Sequence, residues 1–287
     1  PQSIQSYATL ATIVFQTNQN EQHGGQSIPA FDHFMAPGVL KTFRRHLTDM
    51  TLFLCGVRGG VTLERAELKA LVAEHVPTIE PCETAVGRLF AALRQSGVEV
   101  ADEDIRRIWR QAYDTTRRET HQAMEGFIHN LNTMHSRGGN QVVFSSVNYG
   151  TDFSPEGRMV IKNMLLATEE GLGSGETPIF PVQIFRVKEG VNYNPEDPNY
   201  DLFKLAMHCS AKRLFPNFSF LDAPFNAQYY KGTPETEIAY MGCRTRVMGN
   251  VYDPERQISY SRGNLSFTSI NLPRIAYLAK DESDFYQ

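Results

Sequence analysis

Residues 141–171, QVVFSSVNYGTDFSPEGRMVIKNMLLATEEG, contain the clearest secondary-structure signals in the sequence. The first nine residues are rich in β-branched side chains and predict a strand. Ser154 and Pro155 are residue types that begin a helix, apolar residues then recur at helical spacing, and Gly171 ends the helix. The stretch therefore predicts a strand followed directly by a helix.

The same alternation continues towards the C-terminus. PIFPVQIFRV predicts a second strand, a helix follows from Asp197 to Leu214, and NFSFLDA predicts a third strand, with a later one in NLSFTSINL. Strands that alternate with helices of this length predict a parallel α/β sheet with right-handed crossovers. Towards the N-terminus the pattern is helical, from Ser3 to Phe15 and from Leu40 to His135, with Asp102 expected to cap the last helix.

Composition narrows the functional classes. The 287 residues are 41% hydrophobic with a net charge of −4, which gives no reason to expect nucleic acid or an anionic membrane as a partner. No apolar run approaches the roughly 20 residues of a membrane span. The four cysteines form no C-x-x-C pair, which favours reduced thiols and a cytoplasmic location. The start, PQSIQSYATL, has no signal-like pattern and is typical of the middle of a longer protein.

Cys243 is the cysteine whose setting suggests chemistry. In YMGCRTRVMGN it follows Gly242, which allows close backbone approach, and Arg244 and Arg246 add positive potential. The other three cysteines lie in helical or apolar settings and are interpreted as packing. Asn264, in SRGNLSF, is either an ordinary turn residue or part of the same site.

A second candidate site is the turn after the first strand. In open α/β sheets the free N–H groups at a strand-to-helix turn bind phosphates, so Ser146, Asn148, Tyr149 and Gly150 are predicted to bind substrate. The alternative is an ordinary strand-to-helix connection. No metal site is predicted, because His23 has no partner ligands at metal spacing.

Seven ordered segments resemble the anaerobic ribonucleoside-triphosphate reductases, the oxygen-sensitive glycyl-radical class. The resemblance runs from the first residues to about Ala276 and is weakest from Thr48 to Gly97. The segments are EQHGGQSIPAFD, AMEGFIHNLNTMHSR, FSSVNYGTD, ATEEGLGSGETPIFPVQIF, SAKRLFPNFSFLDAPFN, YMGCRTRV and GNLSFTSINLPR.

The resemblance implies a fold and a mechanism. The fold would be part of a ten-stranded α/β barrel built from two parallel half-sheets, with a helical insertion in the first half. Cys243 would become a thiyl radical on a loop inside the barrel, and Asn264 would hold the ribose hydroxyls. The parent enzyme would need a glycyl radical, installed by a radical-SAM activating enzyme, with formate as reductant, and the resemblance allows for zinc. The segments that would carry the glycyl radical and the zinc ligands have no match in this chain. We therefore expect the chain to be an incomplete catalytic domain that is inactive alone.

The resemblance also implies regulation. Nucleoside triphosphates would be both substrates and effectors, and the parent would be a homodimer. Residues 1–136 would form the mainly helical part, with a possible dimer or effector role, and residues 137–287 the half-barrel with its finger loop near Cys243. The effector-loop candidates are His23, Gly24, Gly25 and Gln26. Two alternatives stay open: another glycyl-radical enzyme, such as a pyruvate formate-lyase relative, and a non-catalytic nucleotide-binding or dimerisation module.

Overall fold

A computed structural model describes residues 1–58, 63–98, 100–136, 139, 141–242, 245–250, 252–264 and 268–286. The helices within these residues are α1 (Ile4–Glu21), α2 (Phe31–Arg58), α3 (Arg65–His75), α4 (Glu83–Gln95), α5 (Asp102–Thr133), α6 (Pro155–Glu170), α7 (Tyr200–Arg213), α8 (Pro224–Ala227), α9 (Leu272–Leu278) and α10 (Glu282–Phe285). The strands are β1 (Gln26–Ile28), β2 (His135–Ser136), β3 (Gln141–Val142), β4 (Ser145–Tyr149), β5 (Val182–Val187), β6 (Asn217–Phe220), β7 (Ala239–Met241) and β8 (Thr245–Val247).

A parallel sheet in the order β1-β4-β5-β6 confirms the predicted α/β class. Helix α6 connects β4 to β5, and α7 connects β5 to β6. Every residue of β4 and β5 is buried, as expected for strands that are covered on both faces. The short strands β2–β3 and β7–β8 form separate antiparallel pairs.

Helices α2, α5 and α6 pack against one another beside this sheet. Helix α5 buries a stripe at helical spacing that includes Ile105, Trp109 and Ala112. The Trp109 ring lies 5.3 Å from the Phe43 ring, and its Nε1–H donates to the Ile79 carbonyl at 2.8 Å. Trp109 thereby joins α2, α5 and the segment between α3 and α4. No described helix combines the length and apolar character needed to cross a bilayer.

The ends of helix α6 confirm the predicted signals. The Ser154 hydroxyl accepts the Gly157 N–H at 3.1 Å, Pro155 occupies the first turn, and the helix stops at Gly171, whose φ is 85°. At α5 the prediction of Asp102 as the cap is wrong, because Ala101 holds that position. The Asp102 carboxylate accepts from Arg106 Nε at 2.8 Å instead.

Two strand predictions need correction, and one strand was not predicted. The stretch 141–149 contains two short strands rather than one, because β3 pairs with β2 outside the parallel sheet. Strand β1 begins at Gln26, which is one of the predicted effector-loop residues. The strand predicted over NLSFTSINL is not found in its described part: Asn264 forms an isolated bridge with His23, and helix α9 begins at Leu272.

Candidate active site

Three segments that are distant in the sequence meet at one point. The Asn264 side-chain amide donates to the Gly25 carbonyl at 2.9 Å, and Asn264 also forms an antiparallel bridge with His23. A Cβ placed on Gly25 would lie 3.1 Å from the Gly242 Cα atom. The structure therefore brings the predicted catalytic Asn264 and the predicted effector-loop residues to Gly242. Cys243 is the next residue in the sequence and lies outside the described residues.

Gly25 is needed because two groups approach its backbone. A Cβ on Gly25 would overlap the Phe144 ring, which also packs against Gly242. A methyl group at Gly25 would therefore displace the residues that surround Asn264 and Gly242.

Gln26, the last of the predicted effector-loop residues, belongs to strand β1. It is buried, its Nε2 donates to the Phe15 carbonyl at 2.8 Å, and its backbone N–H donates to the Phe144 carbonyl at 3.0 Å. These bonds join α1 to the parallel sheet. The assignment of residues 23–26 to effector control remains a prediction, but the segment that contains them is partly a strand that adjoins Asn264.

The four predicted substrate-binding residues all lie on or just after β4. Ser146 and Asn148 are buried, and their side chains bond to the backbone of Tyr240 and Gly242. The Tyr149 hydroxyl donates to Gln183 Oε1 at 2.7 Å, and burial raises the pKa of that hydroxyl well above its ordinary range. Each of these polar groups already has a hydrogen-bond partner within the protein. The role of the four residues in substrate binding remains a prediction.

Gly150 begins a turn whose N–H groups bind a carboxylate of the protein itself. One oxygen of Asp32, Oδ2, accepts from the backbone N–H groups of Gly150, Thr151 and Asp152 at 2.8, 3.0 and 3.0 Å. The predicted free donors for a phosphate are thus occupied. Any side chain at position 150 would be strained, because the φ of Gly150 is +124° and a Cβ would lie 2.9 Å from the Arg186 carbonyl oxygen.

Asp32 belongs to a buried ionic cluster at the carboxyl end of the sheet. Arg186 Nη2 lies 3.4 Å from Asp32 Oδ1, and Arg186 Nη1 donates to Glu237 Oε2 at 2.9 Å. Lys188 Nζ donates to Glu237 Oε1 at 3.0 Å. Burial lowers the pKa of Lys188, but Glu237 and Tyr230 outweigh that effect, so the net pKa is raised. Tyr260 interacts electrostatically with the same cluster, and burial raises the pKa of its hydroxyl to about 12.

Sequence reasoning did not single out this cluster. Its members are separated by up to 205 positions, and none stands out in a local motif apart from Asp32, which ends the segment EQHGGQSIPAFD. The usable signal was positional: Asp32, Gly150, Arg186 and Lys188 all follow or end parallel strands, whose carboxyl ends meet at one edge.

The three described cysteines divide into two kinds. Cys55 and Cys209 are buried, which confirms their interpretation as packing residues. Burial, with the negative charge of Glu169, raises the pKa of the Cys209 thiol to about 11. The interpretation of Cys82 as packing is wrong: it is exposed, and its sulfur caps α4 by accepting the Ala85 N–H at 3.3 Å.

One group of described residues has the spacing of metal ligands. Donor atoms of His121, Glu125 and Glu170 all lie within 4.8 Å of one another, on α5 and α6. His121 Nε2 lies 3.1 Å from Glu170 Oε2, and the two glutamates are partly or fully exposed. These contacts are those of a histidine–carboxylate hydrogen bond between two packed helices, and we assign no metal to them.

Comparison with known proteins agrees with the resemblance described above. The family model for anaerobic ribonucleoside-triphosphate reductase matches residues 1–287. The chain is 31% identical over 234 residues to the protein of that name from Haemophilus influenzae. The aligned region covers 80% of this chain and 32% of that protein. The Escherichia coli protein is also 31% identical over 234 residues, with 79% and 32% covered. The bacteriophage T4 protein is 34% identical over 166 residues, with 58% and 27% covered.

The chain thus spans about a third of the length of the curated relatives it matches. The match across all 287 residues nevertheless establishes its relationship. This chain belongs to the anaerobic ribonucleoside-triphosphate reductase family.

Proposed function

We propose that this chain is the central part of the catalytic domain of an enzyme that reduces ribonucleoside triphosphates to deoxyribonucleoside triphosphates under anaerobic conditions. The proposal rests chiefly on the family match over residues 1–287. It is supported by the convergence of Asn264, Gly25 and Gly242 next to Cys243 in the sequence. The parallel sheet is compatible with one part of a ten-stranded barrel.

In this proposal Cys243 and Asn264 act on the substrate ribose. The Cys243 thiol gives up its hydrogen atom and becomes a thiyl radical, which takes the 3′ hydrogen atom of the ribose and re-forms the S–H bond. The 2′ hydroxyl leaves as water after protonation, and formate, which is oxidised to carbon dioxide, supplies two electrons and a proton to C2′. The Cys243 S–H then returns a hydrogen atom to C3′, which re-forms the thiyl radical. Asn264 orients the ribose hydroxyls with its amide, which is neutral and can both donate and accept. A glycine radical outside this chain supplies the oxidising equivalent when it is present.

The remaining partners follow from the same proposal. A radical-SAM enzyme would install the glycine radical, zinc would bind on other segments, and the parent would be a cytoplasmic homodimer that binds effector nucleotides. A non-catalytic nucleotide-binding or dimerisation module is the alternative function. It differs in one measurable respect, because it predicts nucleotide binding without turnover.

A pair of cysteine variants in the whole reductase tests the proposal. We expect Cys243→Ser to abolish deoxynucleotide formation while the glycyl radical signal in electron paramagnetic resonance persists, because an O–H bond is too strong to be oxidised by that radical. Cys209→Ser is the matched control and retains substantial activity, since Cys209 is buried and its sulfur donates only to the Leu165 carbonyl, at 3.5 Å. Turnover by the Cys243→Ser protein would overturn the proposal.

A further inference from the structure

Strand β7, which leads directly to Gly242 and Cys243, has an unusual attachment to the parallel sheet. Its backbone pairs with β8 on one side, in antiparallel register from Ala239↔Val247 to Met241↔Thr245. Towards β1 and β4, the polar groups of its backbone meet side chains instead of a partner strand. The attachment therefore depends on particular side chains and not on a ladder that any sequence could form.

Asn148 provides the central connection. Its Oδ1 accepts the Tyr240 N–H at 2.8 Å, and its Nδ2 donates to the Tyr240 carbonyl at 2.8 Å. The side-chain amide thus replaces one rung of a β-ladder. The Ser27 hydroxyl completes the arrangement, because it accepts from Asn148 Nδ2 at 2.9 Å and donates to the same Tyr240 carbonyl at 2.7 Å.

Ser146 provides the second connection, at Gly242, the residue that follows β7. Its hydroxyl accepts the Gly242 N–H at 2.9 Å and donates to the Gln26 carbonyl at 3.0 Å. Ser146 and Ser27 are register partners in β4 and β1, so the three side chains form one continuous row across two strands. The backbone N–H and carbonyl of Tyr240 and the backbone N–H of Gly242 are all hydrogen-bonded to side chains of this row.

We infer that Ser27, Ser146 and Asn148 are positioning residues that fix the backbone at Tyr240 and Gly242, and Gly242 is the residue before Cys243 in the sequence. This inference rests on the proposed function for its catalytic meaning, but the attachment itself does not depend on it. It gives Ser146 and Asn148 a task other than the predicted contact with substrate. A network in which every buried group is paired specifies one position, since any displacement leaves a polar group without a partner.

Chain chemistry offers matched controls for a test. Ser145 is as fully buried as Ser146 and adjacent to it, but its hydroxyl donates to the Val143 carbonyl at 3.1 Å. Asn163 is buried like Asn148, but its amide donates within α6, to the Met159 carbonyl at 2.7 Å. Variants at Ser145 and Asn163 therefore remove the same chemical groups without touching β7.

The experiment measures amide hydrogen exchange by mass spectrometry in peptides covering residues 239–248, together with iodoacetamide alkylation of Cys243 relative to Cys82. We expect Ser146→Ala and Asn148→Ala to accelerate exchange in this segment about tenfold, which corresponds to about 1.4 kcal/mol and to one lost hydrogen bond. The alkylation ratio is expected to change with it. Ser145→Ala and Asn163→Ala are expected to leave both readouts unchanged.

Equal exchange in Ser146→Ala and Ser145→Ala, with both proteins folded, would overturn the inference. Should Asn148→Ala fail to fold, Ser27→Ala replaces it, because it removes one of the two donors to the Tyr240 carbonyl and leaves the other. Turnover is a separate readout. In the whole reductase the Ser146→Ala protein is expected to lose kcat with KM unchanged, whereas absence of reductase activity in the unaltered enzyme would overturn the proposed function and not the attachment.

Discussion

Asp32 shows how a single residue can occupy a site that looks like one for a ligand. Three consecutive N–H groups point at one carboxylate oxygen, which is the arrangement that binds phosphates in other proteins. The strand-to-helix turn at Gly150 was predicted to bind a substrate phosphate, but the anion that its N–H groups contact is a side chain 118 positions earlier than Gly150 in the sequence. A pairing over that separation is set by the packing of β1 against β4, which no local pattern encodes.

We predict that Asp32→Ala is strongly destabilising. The change would leave three backbone donors without an acceptor and would remove one of the two carboxylates around the buried Arg186. Removing one partner of a buried pair costs about 3–5 kcal/mol, and urea unfolding is the measurement. Asp201→Ala is the control, because Asp201 binds Arg158 at 2.9 Å while more than half exposed, and we expect a much smaller loss. Equal losses would contradict the assignment.

Helices α2 and α5 are joined by a second ionic group, which has consequences for pH. Glu119 of α5 accepts from Arg45 Nη2 at 2.7 and 2.8 Å, and its Oε2 lies 2.7 Å from His46 Nε2. Burial acts to raise the pKa of Glu119, but hydrogen bonds from Arg45 and His46 outweigh it, so the net pKa is lowered. The carboxylate is therefore more strongly stabilised in the folded protein than in the unfolded chain.

The predicted consequence is a loss of stability in acid. A lowered folded pKa contributes stability above the unfolded pKa, and that contribution disappears as pH falls through the folded value. Glu119→Gln is expected to cost about 1 kcal/mol at pH 7 and to reduce the slope of stability against pH below the ordinary glutamate pKa. Urea unfolding at several pH values measures this. Glu103→Gln on the same helix is the control, and an identical slope in the two variants would refute the prediction.

Sequence patterns predicted three strands of the parallel sheet and the helices that connect them, and missed the three-residue strand β1. Helices α5 and α6 and strands β5 and β6 have enough apolar repeats or flanking Ser-Pro and Gly signals to be recognised. Strand β1 has three residues between Gly25 and Pro29, so it has no period to detect. It exists because β4 offers a parallel edge, which is a tertiary cause.

The candidate site divides in the same way. Residue types singled out Cys243 and Asn264, and the structure brings Asn264 to Gly25, whose position next to Gly242 was not predictable from spacing. The side-chain row of Ser27, Ser146 and Asn148 was equally hidden, because serine and asparagine within a strand carry no sign of what they bond to. Contacts between residues over 90 positions apart, such as Asn148 with Tyr240, arise only in the folded chain.

The whole molecule is unevenly packed along its length. The last buried residue among those described is Gly242, and none of the described residues from 245 to 286 is buried. Helices α9 and α10 bury no residue, and the exposed fractions of Tyr252 and Tyr277 are 99% and 88%. Regions with few buried apolar contacts open locally at little cost in free energy.

We predict that chymotrypsin, in limited digestion of the chain, cuts first within residues 252–286, after Tyr252 and Tyr277. Side-chain exposure alone does not determine where the protease cuts first. Phe53 is the internal control, because it is an exposed chymotrypsin site within a packed helix. Its side chain is 75% exposed, but it lies in α2, which packs against α5 and α6, so the backbone cannot enter a protease without unfolding that layer. Mass spectrometry of the early fragments measures the order. Cleavage after Phe53 as fast as after Tyr277 would show that the helical layer opens as readily as the C-terminal segment, contrary to its buried contacts.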